Sequence, residues 1–269
     1  MTTSTLALPT AAPNPRRGAA RLLVHDIKYG LVSASRTPFA LTISLLFPLF
    51  FNVMFNLLQS GETVDGVAAV QTTSAAIIVF VIAVSGYFNM VTGIVTAREK
   101  SVLKRIRQSP MPKSVHLMSR IGVSLAVTVV SVAIMIAVSL ALFDLELRAA
   151  AIPALVLAVL LGGFTSCALG MAVTRLVPSV EAALIVSTAT LFPLLFISGV
   201  FFPIDGMPGP VQAVLDYLPF IPMAEAVRTP LDPGASGMAF DLVNLLVIAA
   251  WGVAAMVVTV KTMPWEPQR

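Results

Sequence analysis

Apolar residues run through this chain in long blocks, broken by short polar segments. A bilayer core about 30 Å thick takes roughly 20 apolar residues in a helix that rises about 1.5 Å per residue. Six blocks reach that length: residues 39–58, 68–96, 115–143, 150–173, 181–200 and 242–260. None holds Lys or Arg near its middle. The pattern predicts an all-α membrane protein with six transmembrane helices across residues 37–260. Residues 1–15 are rich in Thr, Ala and Pro and lack the apolar core of a secretory signal. They read as a disordered tail, and residues 261–269 as a second tail. Between the first tail and the first span, Leu23, Ile27, Leu31 and Ala34 recur at helical spacing, with Arg17, Arg21, Lys28 and Ser35 on another face. Residues 16–36 therefore predict an amphipathic helix at the membrane interface, with a solvated basic linker as the alternative. Pro38 allows a sharp entry into the first span.

Composition narrows the class. Of 269 residues, 57% are hydrophobic and 11% charged, with a mean hydropathy of +0.93. A soluble domain carries about 25% charged residues, so a soluble enzyme, a disordered chain and a disulfide scaffold are excluded. Cys167 is the only cysteine, so no intrachain disulfide forms, and it reads as a small buried residue. His25 and His116 are far apart in sequence and suggest no metal site.

The net charge of +4 and pI of 9.6 change meaning once sorted by side. With both termini cytoplasmic, 15 of the 17 basic residues fall inside, and Arg148 and Arg228 remain outside. Of the 13 acids, only Asp26, Glu99, Glu181 and Glu266 fall inside. The cytoplasmic side then sums to +11 and the outer side to −7, as positive-inside asymmetry requires. The basic excess is an orientation signal and not a nucleic-acid footprint.

Polar residues inside the spans are few. Asn52 and Asn56 are i, i+4 in the first span; Ser85, Asn89, Thr92 and Thr96 share a face of the second; Thr188 lies among Ser187 and Thr190 in the fifth. Ser and Thr at such positions bond their own helix or glue helices together. The asparagines are costlier in lipid and are expected to face the bundle interior. Asn52, Asn56, Ser85, Asn89, Thr92 and Thr188 are candidate pathway residues. Gly162, Ser166 and Gly170 form a small-residue ladder for close helix packing. Pro48 and Pro193 are expected to kink spans one and five.

Two connections stand out. Residues 98–113 read R-E-K-S-V-L-K-R-I-R-Q-S-P-M-P-K, with Pro110 and Pro112 stopping a short helix. Val102, Leu103 and Ile106 make its apolar face, and Lys100, Lys104 and Arg107 a basic one. Attraction to anionic lipid accounts for the basic residues; Glu99 suits instead a docking element for a cytoplasmic partner. Residues 197–230 are apolar, but Pro203, Pro208, Pro210, Pro219 and Pro222 interrupt them too often for one spanning helix. They predict two short re-entrant helices on the outer side, near 211–217 and 223–228, with Glu225 and Arg228 placed to pair.

Both connections resemble type-2 ABC transporter permeases, the membrane subunits of exporters. In the first, the matching residues are Glu99, Lys100, Leu103, Lys104, Arg105, Ile106, Arg107 and Pro110. They correspond to that family's ATPase-coupling region between spans two and three. Ser101 and Val102 depart from the Gly that members often carry there. In the second, Ser198, Gly199, Phe201, Phe202, Pro203, Met207, Pro208, Pro222, Glu225 and Arg228 resemble the outer helices of daunorubicin-resistance-type multidrug permeases. The resemblance implies an outer gate at Gly199, Phe201, Phe202, Pro203, Pro208, Pro222, Glu225 and Arg228.

The resemblance further implies ATP-driven export from a bacterial cell membrane by two permeases, identical or related, with two ABC ATPase subunits and surrounding lipid. No Walker-type G-x-x-x-x-G-K-[ST] is present and no connection is long enough for a nucleotide-binding domain. The chain is therefore expected to be a transporter subunit and not an enzyme. It would bind no cofactor itself, with ATP and Mg held by the partner ATPase. An amphipathic drug-like molecule or lipid is the expected cargo, since aromatics make up only 7% of the chain and polysaccharide exporters tend to line their path with them. The alternatives are a non-transporting scaffold that recruits a cytoplasmic partner, and a secondary carrier. The span middles lack the buried ionisable groups such a carrier uses.

Overall fold

The computed structural model describes residues 15–36, 38–59, 61, 63–64, 67–100, 113–197 and 217–262. Helix α1 (Pro15–Ser35) leads into α2 (Pro38–Leu58). A two-residue hairpin, β1 (Thr63–Val64) paired antiparallel with β2 (Val67–Ala68), precedes α3 (Ala69–Ala83). A π-helical turn over Val84–Phe88 joins α3 to α4 (Asn89–Glu99). Then come α5 (Lys113–Leu142), α6 (Ile152–Val173), α7 (Val180–Ile197), α8 (Phe220–Leu231) and α9 (Leu242–Thr262). Five of the described helical segments are long and apolar enough to cross a membrane. The sixth expected span is α2, whose apolar stretch Leu45–Leu58 is shorter. The chain is an all-α membrane protein, and the observed spans match the expected blocks within a few residues.

The segment Ala69–Glu99 is the axis of the bundle. Ile78, Ile82, Val91 and Ile94 are essentially inaccessible there. Outward faces of α2, α7 and α9 carry Phe47, Phe50, Leu184, Ile185, Leu246 and Val253 exposed, as helices in apolar solvent do. Pro48 and Pro193 sit inside α2 and α7, and both helices run on past them.

The small-residue ladder of α6 seats two neighbours. A Cβ on Gly170 would stand 2.5 Å from the Tyr87 carbonyl oxygen, and one on Gly86 2.6 Å from Ser166 Cβ. Gly162 faces the Met223 side chain and Ile82. On the other side of α6, Gly252 lets α9 approach, and Thr165 Oγ1 donates to the Ile248 carbonyl at 2.9 Å.

Two expectations change. Helix α1 does not only lie on a surface: Ile27 packs over Gly122, and Gly30 over Val123, so its inner face docks on α5. Leu22, Val24 and Tyr29 on α1 stay exposed. Of the two short outer helices, α8 is longer than expected, 12 residues from Phe220 to Leu231. The other falls on residues 211–216, outside the described residues apart from Tyr217. Met223 of α8 reaches Gly162, ten residues into α6, about 15 Å along its axis. Helix α8 thus starts midway through the bundle and runs out to the hairpin end, where Arg228 and Asp232 lie with Val67 and Gln71.

Candidate functional site

At the end of α4 two adjacent charges are committed within the chain. The Arg98 side chain is almost wholly buried. Its Nη1 donates to the Thr174 carbonyl at 3.3 Å, and its Nη2 to the carbonyls of Val177 and, at 3.2 Å, Pro178. These carbonyls lie in the turn between α6 and α7, where a 3₁₀ turn, Thr174–Leu176, ends the α-helical bonding and the Thr174 carbonyl also accepts from the Val177 amide at 3.3 Å. Glu99 turns the other way: its Oε1 accepts from the Val180 amide at 2.7 Å, at the start of α7. A carboxylate there satisfies an orphan donor and meets the positive end of the helix dipole. One oxygen of Glu99 thus holds the first turn of α7, while its side chain stays at the surface. Lys100 closes α4 through its amide to the Thr96 carbonyl and is exposed. Leu103, Lys104, Arg105, Ile106 and Arg107 lie outside the described residues, and with them the expected coupling helix.

A second polar junction joins α1 to α5. Asp26 Oδ2 accepts from Ser119 Oγ and lies 3.4 Å from His116 Nδ1. Arg120 Nε donates to His116 Nε2 at 3.3 Å. No cluster of three or more metal-ligating side chains occurs among the described residues.

The candidate pathway residues separate into three places. Asn52 and Asn56 are buried, as expected. Asn52 Nδ2 donates to Ser139 Oγ at 2.8 Å, Ser74 Oγ lies 3.3 Å from the same hydroxyl, and Asn56 Nδ2 donates back to Asn52. This ties α2, α3 and α5 together and occupies Asn52. Ser85 is buried at the π turn, where its carbonyl accepts from Ser124 Oγ at 2.9 Å and from Asn89 Nδ2 at 3.2 Å. Asn89 itself is exposed on this chain, contrary to the expectation that it faces the interior. The π turn is the physical reason: one extra residue per turn rotates everything after it, so the four-residue polar face read from sequence is broken. Thr92 bonds the Phe88 carbonyl at 2.9 Å and is half-buried. Thr188 bonds the Leu184 carbonyl at 2.8 Å and is exposed on α7. Sequence reasoning missed Tyr87, whose hydroxyl meets Thr190 Oγ1 at 2.6 Å and links the π turn to α7. It also missed Arg98, although an Arg just after the apolar block 68–96 is a usable signal that a charge needs internal partners.

Pro222 is buried near the deep start of α8, and toward the hairpin end Glu225 and Arg228 pair at 3.8 Å with both side chains more than 40% exposed. They border a cavity of about 300 Å³ with Gln71, Thr72, Thr229 and Asp232. Gly199, Phe201, Phe202, Pro203 and Pro208 lie outside the described residues.

The profile of the family described as ABC-2 type transporter matches residues 22–231. Nodulation protein J of Rhizobium leguminosarum bv. viciae is 35% identical over 66 residues, 24% of this chain and 26% of that protein. Nodulation protein J of Rhizobium meliloti (strain 1021) is 37% identical over 68 residues, 25% of this chain and 26% of that protein. The alignments thus span about a quarter of these curated relatives.

Proposed function

The chain belongs to the ABC-2 type transporter family, and on that premise we propose that this transport permease is the membrane half of an ATP-driven exporter whose ATPase is a separate subunit. The observation that carries the reading is the junction at Arg98 and Glu99. The connection that begins at Lys100 is the basic segment suited to a cytoplasmic partner, and its root is tied by side chains to the α6–α7 turn and the start of α7. A partner that moves this segment moves a membrane helix. The charge sorting supports placing that end, and both termini, in the cytoplasm.

In this reading Glu99, Lys100, Leu103, Lys104, Arg105, Ile106 and Arg107 receive the ATPase. Residues 197–230, including α8, gate the opposite end. Two permeases, identical or related, work with two ATPases, which hold ATP and Mg. The cargo is amphipathic, a drug-like molecule or a lipid, consistent with apolar helices that carry only scattered amides and hydroxyls. Efflux of this kind would confer multidrug or antibiotic resistance on a bacterial host.

Co-purification with the candidate ATPase, followed by its hydrolysis rate, tests the reading. Leu103→Asp and Glu99→Arg are expected to lower permease-stimulated hydrolysis several-fold. An ATPase that co-purifies and hydrolyses at an unchanged rate with both variants would make the chain a scaffold instead.

A further inference from the structure

Arg98 poses a problem that the coupling reading alone does not answer. A charge beside apolar spans is costly to bury, yet this one is about 1% exposed and its terminal nitrogens are spent on backbone carbonyls rather than on an acid. The three carbonyls come from Thr174, Val177 and Pro178, spread over five residues of the α6–α7 turn; the Thr174 carbonyl also accepts from the Val177 amide at 3.3 Å, closing the 3₁₀ turn. Only a planar fork reaches them together; an ammonium on a flexible stem acts as a point charge and does not. The next residue, Glu99, holds the Val180 amide at 2.7 Å. Two consecutive side chains at the end of α4 therefore grip both sides of Ser179, one the incoming turn and one the outgoing helix.

We propose that Arg98 is a positioning residue for transport: it locks the end of α4 and the α6–α7 turn into one body, so that displacement of the segment starting at Lys100 is delivered to α7 without loss. This inference rests on the coupling reading for its role in transport, but the rigid body itself is a property of the chain alone. Tyr87, bonded to Thr190 at 2.6 Å, adds a second tie between the same helices about 15 Å further along the axis. Helix α7 is thus held at two heights by the α3–α4 segment and would be carried with it rather than bent.

The test uses spin labels at Lys100→Cys and Leu176→Cys, both exposed positions, in nanodiscs, with the buried native Cys167 left in place. Double electron–electron resonance should give one narrow distance in the otherwise native chain. Arg98→Gln should broaden that distribution at least two-fold, and Arg98→Lys should broaden it too although it keeps the charge. The same variants, reconstituted with the ATPase and a fluorescent amphipathic dye, should export at least five-fold less dye per ATP hydrolysed. An unchanged narrow distance in both variants overturns the clamp, whatever the transport assay gives. A broadened distance with export per ATP unchanged confines the clamp to structure and overturns its positioning role. Native chain that exports no dye on ATP addition refutes the coupling reading and the transport role with it, while the label distances still decide the rigid body. If Arg98→Gln does not fold, Arg98→Lys carries the comparison.

Discussion

The two ends of the bundle are held by different chemistry. At the Glu99 end a buried guanidinium spans three carbonyls, and a carboxylate caps the next helix. From mid-bundle out to the hairpin end, α8 is held by packing: Pro222, Met223 and Val227 are buried, and its ion pair stands half exposed. Charge-assisted hydrogen bonds are directional and are lost when alignment is lost. Apolar contacts between helices permit sliding at low cost, as in shear motions. The first end is held by directional bonds, the second by contacts that tolerate sliding.

The largest expected effect breaks the first end. Arg98→Ala should destabilise the chain by about 2–4 kcal/mol, because charged hydrogen bonds are lost and carbonyls are left unpaired. Thermal unfolding in detergent, followed by size-exclusion chromatography, reads the loss. Next comes a matched pair of substitutions along one helix. Gly170→Ala sets a methyl 2.5 Å from a backbone oxygen, and Gly162→Ala sets one 3.1 Å from the flexible Met223 thioether. The first should cost about 1–3 kcal/mol, and the second under about 1 kcal/mol, since a thioether moves aside and a helix backbone does not. Equal melting shifts for the two would deny the difference in rigidity. Glu99→Ala should cost about 1 kcal/mol, the usual loss for a helix cap, and the same thermal assay separates it from Arg98→Ala. Smallest is Glu225→Gln. An exposed i, i+3 pair at 3.8 Å contributes within about 0.5 kcal/mol, so its melting temperature should match the native chain; a large drop would mean the hairpin end is held by charge after all.

Most of the fold was legible because spans announce themselves by length and apolarity. The blocks at residues 115–143 and 242–260 return as Lys113–Leu142 and Leu242–Thr262. The Gly162, Ser166 and Gly170 ladder was legible too, since small residues at that spacing admit close neighbours. Two features were hidden. The π turn at Val84–Phe88 has no sequence period of its own, so extrapolating a regular helix through it turned Asn89 the wrong way. Sorted by side of the membrane, Arg98 falls with the basic loop; three carbonyls far along the chain decide its actual place. Asn52 and Asn56 were read correctly as interior, but their bonding to Ser139 depends on a contact 87 residues away that spacing does not encode.

Inside-out proteoliposomes holding the permease with its ATPase test the central claim most directly. Uptake of a fluorescent amphipathic dye should begin on addition of ATP, stop when the ATPase is omitted, and persist when a protonophore collapses the proton gradient. Uptake that proceeds without the ATPase and vanishes with the gradient would contradict the account and make the chain a secondary carrier.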